Sequence, residues 1–218
     1  PKTIVFSTFG VREGLFYEML PPAERAKDGL ICAAQTLNGL LSRSAKHAEE
    51  LIAWTDRLAR VVRLRETEAD RRLRHAACLL SDVGWRVHPD HRGEETLSLI
   101  TNGNFGSVDH QGRAFVALSV YYRYAGLSEA NEPPPVMRDL IPPAMDERAR
   151  MLGAAFRVAH LVSAARPGVL PATHFRSEGR KLMLVFEHQM VDLVADRVGS
   201  RFKQLARLLG RAGSIVRR

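Results

Sequence analysis

The sequence predicts a mainly α-helical domain closed by a small C-terminal α/β appendage, a hairpin plus a helix. Three observations carry that expectation. From Ala23 to about Ala125, apolar residues recur at three- and four-residue spacing, the period of helices with one buried face. Ser44, Thr67 and Asp109, side chains suited to capping helix N-termini, stand just ahead of periodic runs. Near the C-terminus the period shortens to two: Leu182, Leu184 and Phe186 alternate after the turn pair Glu178-Gly179.

In chain order, Thr3-Ile4-Val5-Phe6-Ser7 is a short β-like run closed by Gly10. A lone strand is unstable, so it is expected to pair with a sheet elsewhere in a longer protein or to dock on the helical body. Pro21-Pro22 separates this lead-in from the rest. Ser44 caps a helix with Ala48, Leu51, Ile52, Leu58 and Val62 on its inner face. Thr67 with Asp70 reads as a capping box; it opens a helix through Leu73, Ala76, Ala77 and Leu80 that Gly84 ends. A helix from about Gly93 to Thr101 stops at Asn102-Gly103. Asp109 caps the next, which runs through Val116 and Val120 to Tyr121, Tyr122 and Tyr124. Pro133-Pro134-Pro135 and Pro142-Pro143 bracket a connector, read as a linker or a rigid loop. After Asp146 a helix places Met151, Leu152, Ala155, Phe156, Ala159 and Val162 on one face, until Gly168 and Pro171 end the pattern. Leu170 to Arg176 and Lys181 to Glu187 form the hairpin. A helix near Met190 to Leu209 follows, with Arg197, Arg201, Lys203 and Arg207 on its polar side.

The 218 residues suffice for a core of their own. Hydrophobic residues at 45% and charged residues at 26% are globular proportions, which exclude a disordered or fibrous chain. Arg, His or Asp interrupts every apolar stretch before it is long enough to span a bilayer. Residues 1–7 lack the zones of a signal peptide, and a cytoplasmic location is expected. There is no initiator Met, so the chain is expected to begin inside a longer protein. Cys32 and Cys78 are too few for a disulfide framework and read as free thiols. The formal net charge of +8 is carried mostly by arginine, whose fork matches phosphate oxygens. That excess points to a polyanionic partner such as polyphosphate, nucleotide or nucleic acid. A solvated basic surface explains it equally well.

Three stretches carry a resemblance. Gly10-Val11-Arg12-Glu13-Gly14-Leu15 resembles the Gly-Leu-Arg-Glu-Gly signature that follows the last phosphatase-fold strand in the exopolyphosphatase/guanosine-pentaphosphate phosphatase family. His47-Ala48-Glu49 and Ala76-Ala77-Cys78-Leu79-Leu80-Ser81-Asp82-Val83-Gly84 look like the first two elements of that family's HD-like domain. Asp90-His91 through Leu99-Ile100-Thr101-Asn102 is similar to its next helix. The resemblance implies that residues 1–20 trail from an actin-like phosphatase domain, that 21–145 form the HD-like helical domain, and that 146–218 form a C-terminal subdomain. It also implies a parent enzyme with two N-terminal domains of the actin type. Those would hold the phosphate loops, the acidic base and magnesium, and would remove the terminal phosphate of polyphosphate or the 5′-phosphate of guanosine pentaphosphate. This chain has no glycine-rich phosphate loop after a strand and no Asp-x-Gly pair in strand context. No catalytic residue and no cofactor are therefore assigned to it.

An HD hydrolase gathers imidazole and carboxylate ligands from several helices to hold a metal and activate water. Against that pattern His47 matches the first ligand and Asp82 the aspartate of the His-Asp doublet. Ser81 stands where the doublet histidine belongs, and His160 where the late aspartate belongs. Tyr124-Ala125 replaces a Tyr-His. The candidate metal set is thus degenerate: His47, Asp82, His91 and, at its margin, His160. A polar cluster satisfied by hydrogen bonds is the expected alternative to a metal. Arg57, Arg60, Arg63, Arg71 and Arg74 lie on two consecutive helices, either as a solvated face or as a polyanion track of low sequence specificity. The function expected is an accessory domain that binds inorganic polyphosphate and helps to hold a homodimer. The competing readings are a surviving HD phosphohydrolase and a plain dimerisation module. For nucleic acid the sequence offers charge alone, with no recognition motif.

Overall fold

A computed structural model of the chain describes residues 9–187 and 196–217. The expected strand at Thr3–Ser7 and the expected start of the last helix at Met190 lie outside the described residues. Local hydrogen bonds set where the helices begin. Asp28 accepts from Leu30 N and Ile31 N to open α3 (Gly29–Leu41), after α1 (Val11–Met19) and the single turn α2 (Pro22–Arg25). Ser44 Oγ accepts from His47 N at 3.2 Å at the head of α4 (Ala45–Val62). Thr67 and Asp70 form a reciprocal capping box on α5 (Glu68–Leu80). Asp109 accepts from Gly112 N at 2.7 Å on α7 (His110–Ala125), which follows α6 (Arg92–Asn102).

Helix α5 stops at Leu80 and not at Gly84. Gly84 serves close approach instead, since a Cβ there would collide with Thr96 Cγ2. The proline-rich connector carries one turn, α8 (Pro135–Arg138), and Ile141 is buried in the core, so it is a fixed loop. Pro143 then occupies the first turn of α9 (Pro143–Ser163), where its missing N–H costs nothing; the helix starts three residues before Asp146.

Helix α7 is buried continuously from Ala114 to Arg123, as a helix does at the centre of a bundle. Helix α9 lies along it, and Gly153 allows the approach: a Cβ would stand 2.5 Å from Tyr122 Cβ and 3.0 Å from Ser119 O. One hydrophobic cluster runs from Leu30 to Ala206, so the core crosses the boundary expected at residue 145.

The appendage is a three-stranded sheet in the order β1-β2-β3, with β1 at Thr173–Glu178, β2 at Lys181–Phe186 and β3 at Ala212–Arg217. Strands β1 and β2 pair antiparallel, Phe175 opposite Leu184. Strand β3 returns parallel to β2 after α10 (Asp196–Leu208). This third strand was not expected. As the central strand, β2 buries Met183 and Val185 as well as Leu182, Leu184 and Phe186, so its burial does not alternate. Phe175 joins sheet to helices, its ring 4.5 Å from Trp54 and 6.4 Å from Phe202. Trp54, fully buried, donates from Nε1 to Thr173 Oγ1 at 2.9 Å.

Both cysteines are free, Cys78 buried and Cys32 half-buried. Among the described residues, no helix is long and apolar enough to cross a membrane.

Candidate functional site

The turn after α5, the loop before α4, the last turn of α7 and the end of α9 converge on Asp82. This carboxylate is 3% exposed, so its charge must be met inside the protein. Arg43, from the loop before α4, meets it with both arms: Nε donates to Oδ2 at 2.9 Å and Nη2 to Oδ1 at 2.7 Å. The Arg43 backbone N–H donates to Oδ2 as well. Arg123 of α7 donates from Nη2 to Oδ1 at 2.7 Å and from Nη1 to the Ser81 carbonyl. Burial alone would raise the Asp82 pKa. The Arg43 hydrogen bond and the charges of Arg123 and Arg43 outweigh that and hold it below the ordinary carboxylate value.

Two imidazoles pack against this pair of ions. His47 of α4 and His160 of α9 lie with ring centroids 4.8 Å apart. His47 Nε2 is 2.7 Å from Ser163 Oγ, whose own proton goes to the Ala159 carbonyl at 2.8 Å. The His47 Nε2–H is therefore the donor, which leaves that nitrogen no lone pair for a metal. His160 Nε2 contacts Ser81 Oγ at 3.1 Å, while its Nδ1 has no hydrogen-bond partner and stands 3.9 Å from Asp82 Oδ1. Burial lowers the pKa of both: that of His47 to about 4, and that of His160 well below the usual histidine value. The Arg123 and Arg43 charges add to each shift.

The structure thus brings His47, Asp82 and His160 together and places His91 apart. His91 is exposed at the turn Pro89–His91, its ring beside that of His88. Among the described residues, no group of three or more His, Cys, Asp or Glu side chains is placed to hold a metal ion. The residues do not fit an HD metal centre. Both Asp82 oxygens are committed to guanidinium groups, and these cations stand where a metal's charge would be needed. Arg43 gave no signal in the sequence, because it lies outside every motif and reaches Asp82 only through the fold.

The expected arginine track divides. Arg60, Arg63, Arg71 and Arg74 line one depression of about 640 Å³ between α4 and α5, but Asp28, Asp56, Glu66 and Glu68 line it too. Arg74 is buried and spent on carboxylates, with Nη1 on Asp56 at 2.8 Å and Nη2 on Glu66 at 2.5 Å. Arg57 faces away from that depression and donates from Nη2 to the Leu170 carbonyl at 3.2 Å. Arg60, Arg63 and Arg71 remain exposed.

A second cleft, of about 720 Å³, opens between α7, α9 and α10 beside the Asp82 cluster. Its walls carry Arg92, Arg123, Arg157, Arg197 and Arg201 with Tyr124 and His160 and, among the described residues, no carboxylate. Arginines of α7, α9 and α10 meet here because Gly153 sets α9 against α7, one and two turns before Arg157 and His160.

Fold and site together define a mainly helical domain with a small sheet, organised around an aspartate held by two arginines. The family model described as exopolyphosphatase, C-terminal, matches residues 30–216, and the chain belongs to that family. No curated protein matches the chain.

Proposed function

We propose that this chain is the accessory C-terminal domain of an exopolyphosphatase. It engages inorganic polyphosphate beside actin-like domains that carry out the magnesium-dependent hydrolysis, and performs no metal-dependent chemistry in its own HD-like pocket. The observation that carries this reading is the clamp on Asp82: the one carboxylate of the expected ligand set is neutralised by Arg43 and Arg123. The family assignment and the net charge of +8 support polyphosphate as the ligand. Docking onto the catalytic domains or a second copy finds support in α1, none of whose residues is buried. Val11, Leu15, Phe16 and Met19 there are 57–93% exposed.

Titrating the purified chain with long-chain polyphosphate at low and moderate salt tests the reading. Binding should weaken by about tenfold or more as salt rises from about 50 to about 200 mM, because the chain displaces counterions. No binding at low salt defeats it. Equal binding of guanosine pentaphosphate, which competes for the same site, would move the reading to that substrate. Light scattering across concentrations tests dimerisation separately.

A further inference from the structure

We infer that the cleft between α7, α9 and α10 is an oxyanion site for phosphoryl groups, with Arg157 at its floor and Arg201 and Arg197 of α10 at its wall. The ligand class is a linear condensed phosphate. The inference rests on the polyphosphate reading for its biological ligand, but its geometry stands without it.

The first argument is charge. Several guanidinium groups of the molecule are met by acids: Arg43 by Asp82, Arg72 by Asp28, Arg74 by Asp56 and Glu66, Arg150 by Asp146 and Glu132, and, at the edge of this cleft, Arg123 by Asp82. In this cleft Arg92, Arg157, Arg197 and Arg201 have no carboxylate partner among the described residues. Arg157 is half-buried and its one hydrogen bond goes to the Arg123 carbonyl, Nη1 to O at 2.9 Å. Burial first, then the charges of Arg201 and Arg123, push its pKa down to about 10, so it is still a cation at neutral pH. A desolvated cation facing two others is costly unless an anion completes the group.

Unsatisfied donors supply the second argument. Arg157 Nε is buried with no partner, and so is the Tyr124 hydroxyl. Burial raises the Tyr124 pKa, so it stays protonated and able to donate. A phosphoryl group offers several acceptor oxygens to such donors, and arginine forks match its geometry. The third argument separates a phosphate chain from a nucleotide. A base needs a free ring face to stack on. Among the described residues the aromatic rings of the lining are Tyr124 and His160, the latter already packed on His47 with centroids 4.8 Å apart. One face of the Tyr124 ring is taken by the Arg123 guanidinium, 4.1 Å from the ring centroid.

Calorimetric titration of the whole chain with tripolyphosphate and with long-chain polyphosphate tests the site. The variants are Arg157→Gln and Arg201→Gln, with Arg60→Gln/Arg63→Gln in the α4–α5 depression as a control. Expected is a loss of about tenfold or more in tripolyphosphate affinity for each cleft variant, with the control unchanged. Circular dichroism verifies folding, and the half-buried Arg201 gives a second variant should Arg157→Gln fail to fold. Tripolyphosphate binding that survives both cleft substitutions overturns the site. If long polyphosphate loses affinity only in the control variant, the cleft is overturned and the accessory reading stands. If tripolyphosphate binds through the cleft while long polyphosphate does not bind, the cleft stands and the polyphosphate reading falls. Binding of neither overturns both.

Discussion

The two imidazoles beside Asp82 make folding stability depend on pH within a defined window. In the folded chain His47 stays neutral down to about pH 4, held there by burial and by Arg123 and Arg43 against the opposing pull of Asp82. In the unfolded chain it titrates near 6.5. Between those values the unfolded chain binds a proton that the folded chain refuses, so the free energy of unfolding rises with pH by about 1.4 kcal/mol per pH unit. Across the whole window His47 contributes about 3 kcal/mol, present above pH 6.5 and lost as pH falls toward 4. His160 is shifted in the same direction and steepens the same slope. Asp82 acts elsewhere: its folded pKa is depressed, so its contribution persists above the unfolded carboxylate value and fades only as pH falls through the folded one. The assay is urea unfolding of wild type, His47→Gln and His160→Gln at steps from about pH 7 to about pH 5, with midpoints and slopes converted to free energies. Below about pH 6.5 each variant should lose about 1.4 kcal/mol per pH unit of the wild-type slope. A wild-type stability flat from pH 7 to 5, or a His47→Gln variant that keeps the full slope, would refute the neutral buried pair.

Three further substitutions test the fold around the site. Asp82→Ala leaves the buried Arg123 without its counter-ion and should cost about 3–5 kcal/mol by chemical denaturation; Arg123→Met in that background should recover part of it. Gly153→Ala forces a methyl against Tyr122 and the Ser119 carbonyl, and a destabilisation of about 1–3 kcal/mol is expected, with weakened anion binding if α9 shifts. Thr67→Ala removes one half of the α5 capping box and should cost about 1 kcal/mol, read as a fall in the thermal midpoint with no change in ligand affinity.

Much of the helical frame was legible because its signals are local. Ser44, Thr67 and Asp109 act on backbone groups three residues away, so spacing along the chain suffices to find them. The same holds for the apolar face of α4. Strand β3 escaped because Ala212–Arg217 gains its pattern only by pairing with β2, across the intervening α10. Burial on both faces of β2 follows from its central place in the sheet, which the sequence around it does not encode. Arg74 shows the limit most directly. It reads as one more arginine on a basic face, yet Glu66 and Asp56 draw it inward as a buried strut.

The candidate site divides along the same line. His47, Asp82 and His160 could be picked out because each sits at a position with a motif, and the fold does assemble them. The motif says nothing about what neutralises Asp82, and there the structure changes the chemistry. A divalent ion needs carboxylate oxygens with free lone pairs and imidazole nitrogens that are not donors. Here Arg43 and Arg123 bring two positive charges on covalent tethers, and the His47 proton points at Ser163. With both histidines neutral, Asp82, Arg43 and Arg123 leave the cluster one positive charge in excess. That excess lies beside the cleft where, among the described residues, Arg157 and Arg201 also have no carboxylate partner. The fixed guanidinium groups thus give the cluster a permanent positive potential, which supports the proposed role of holding an anion.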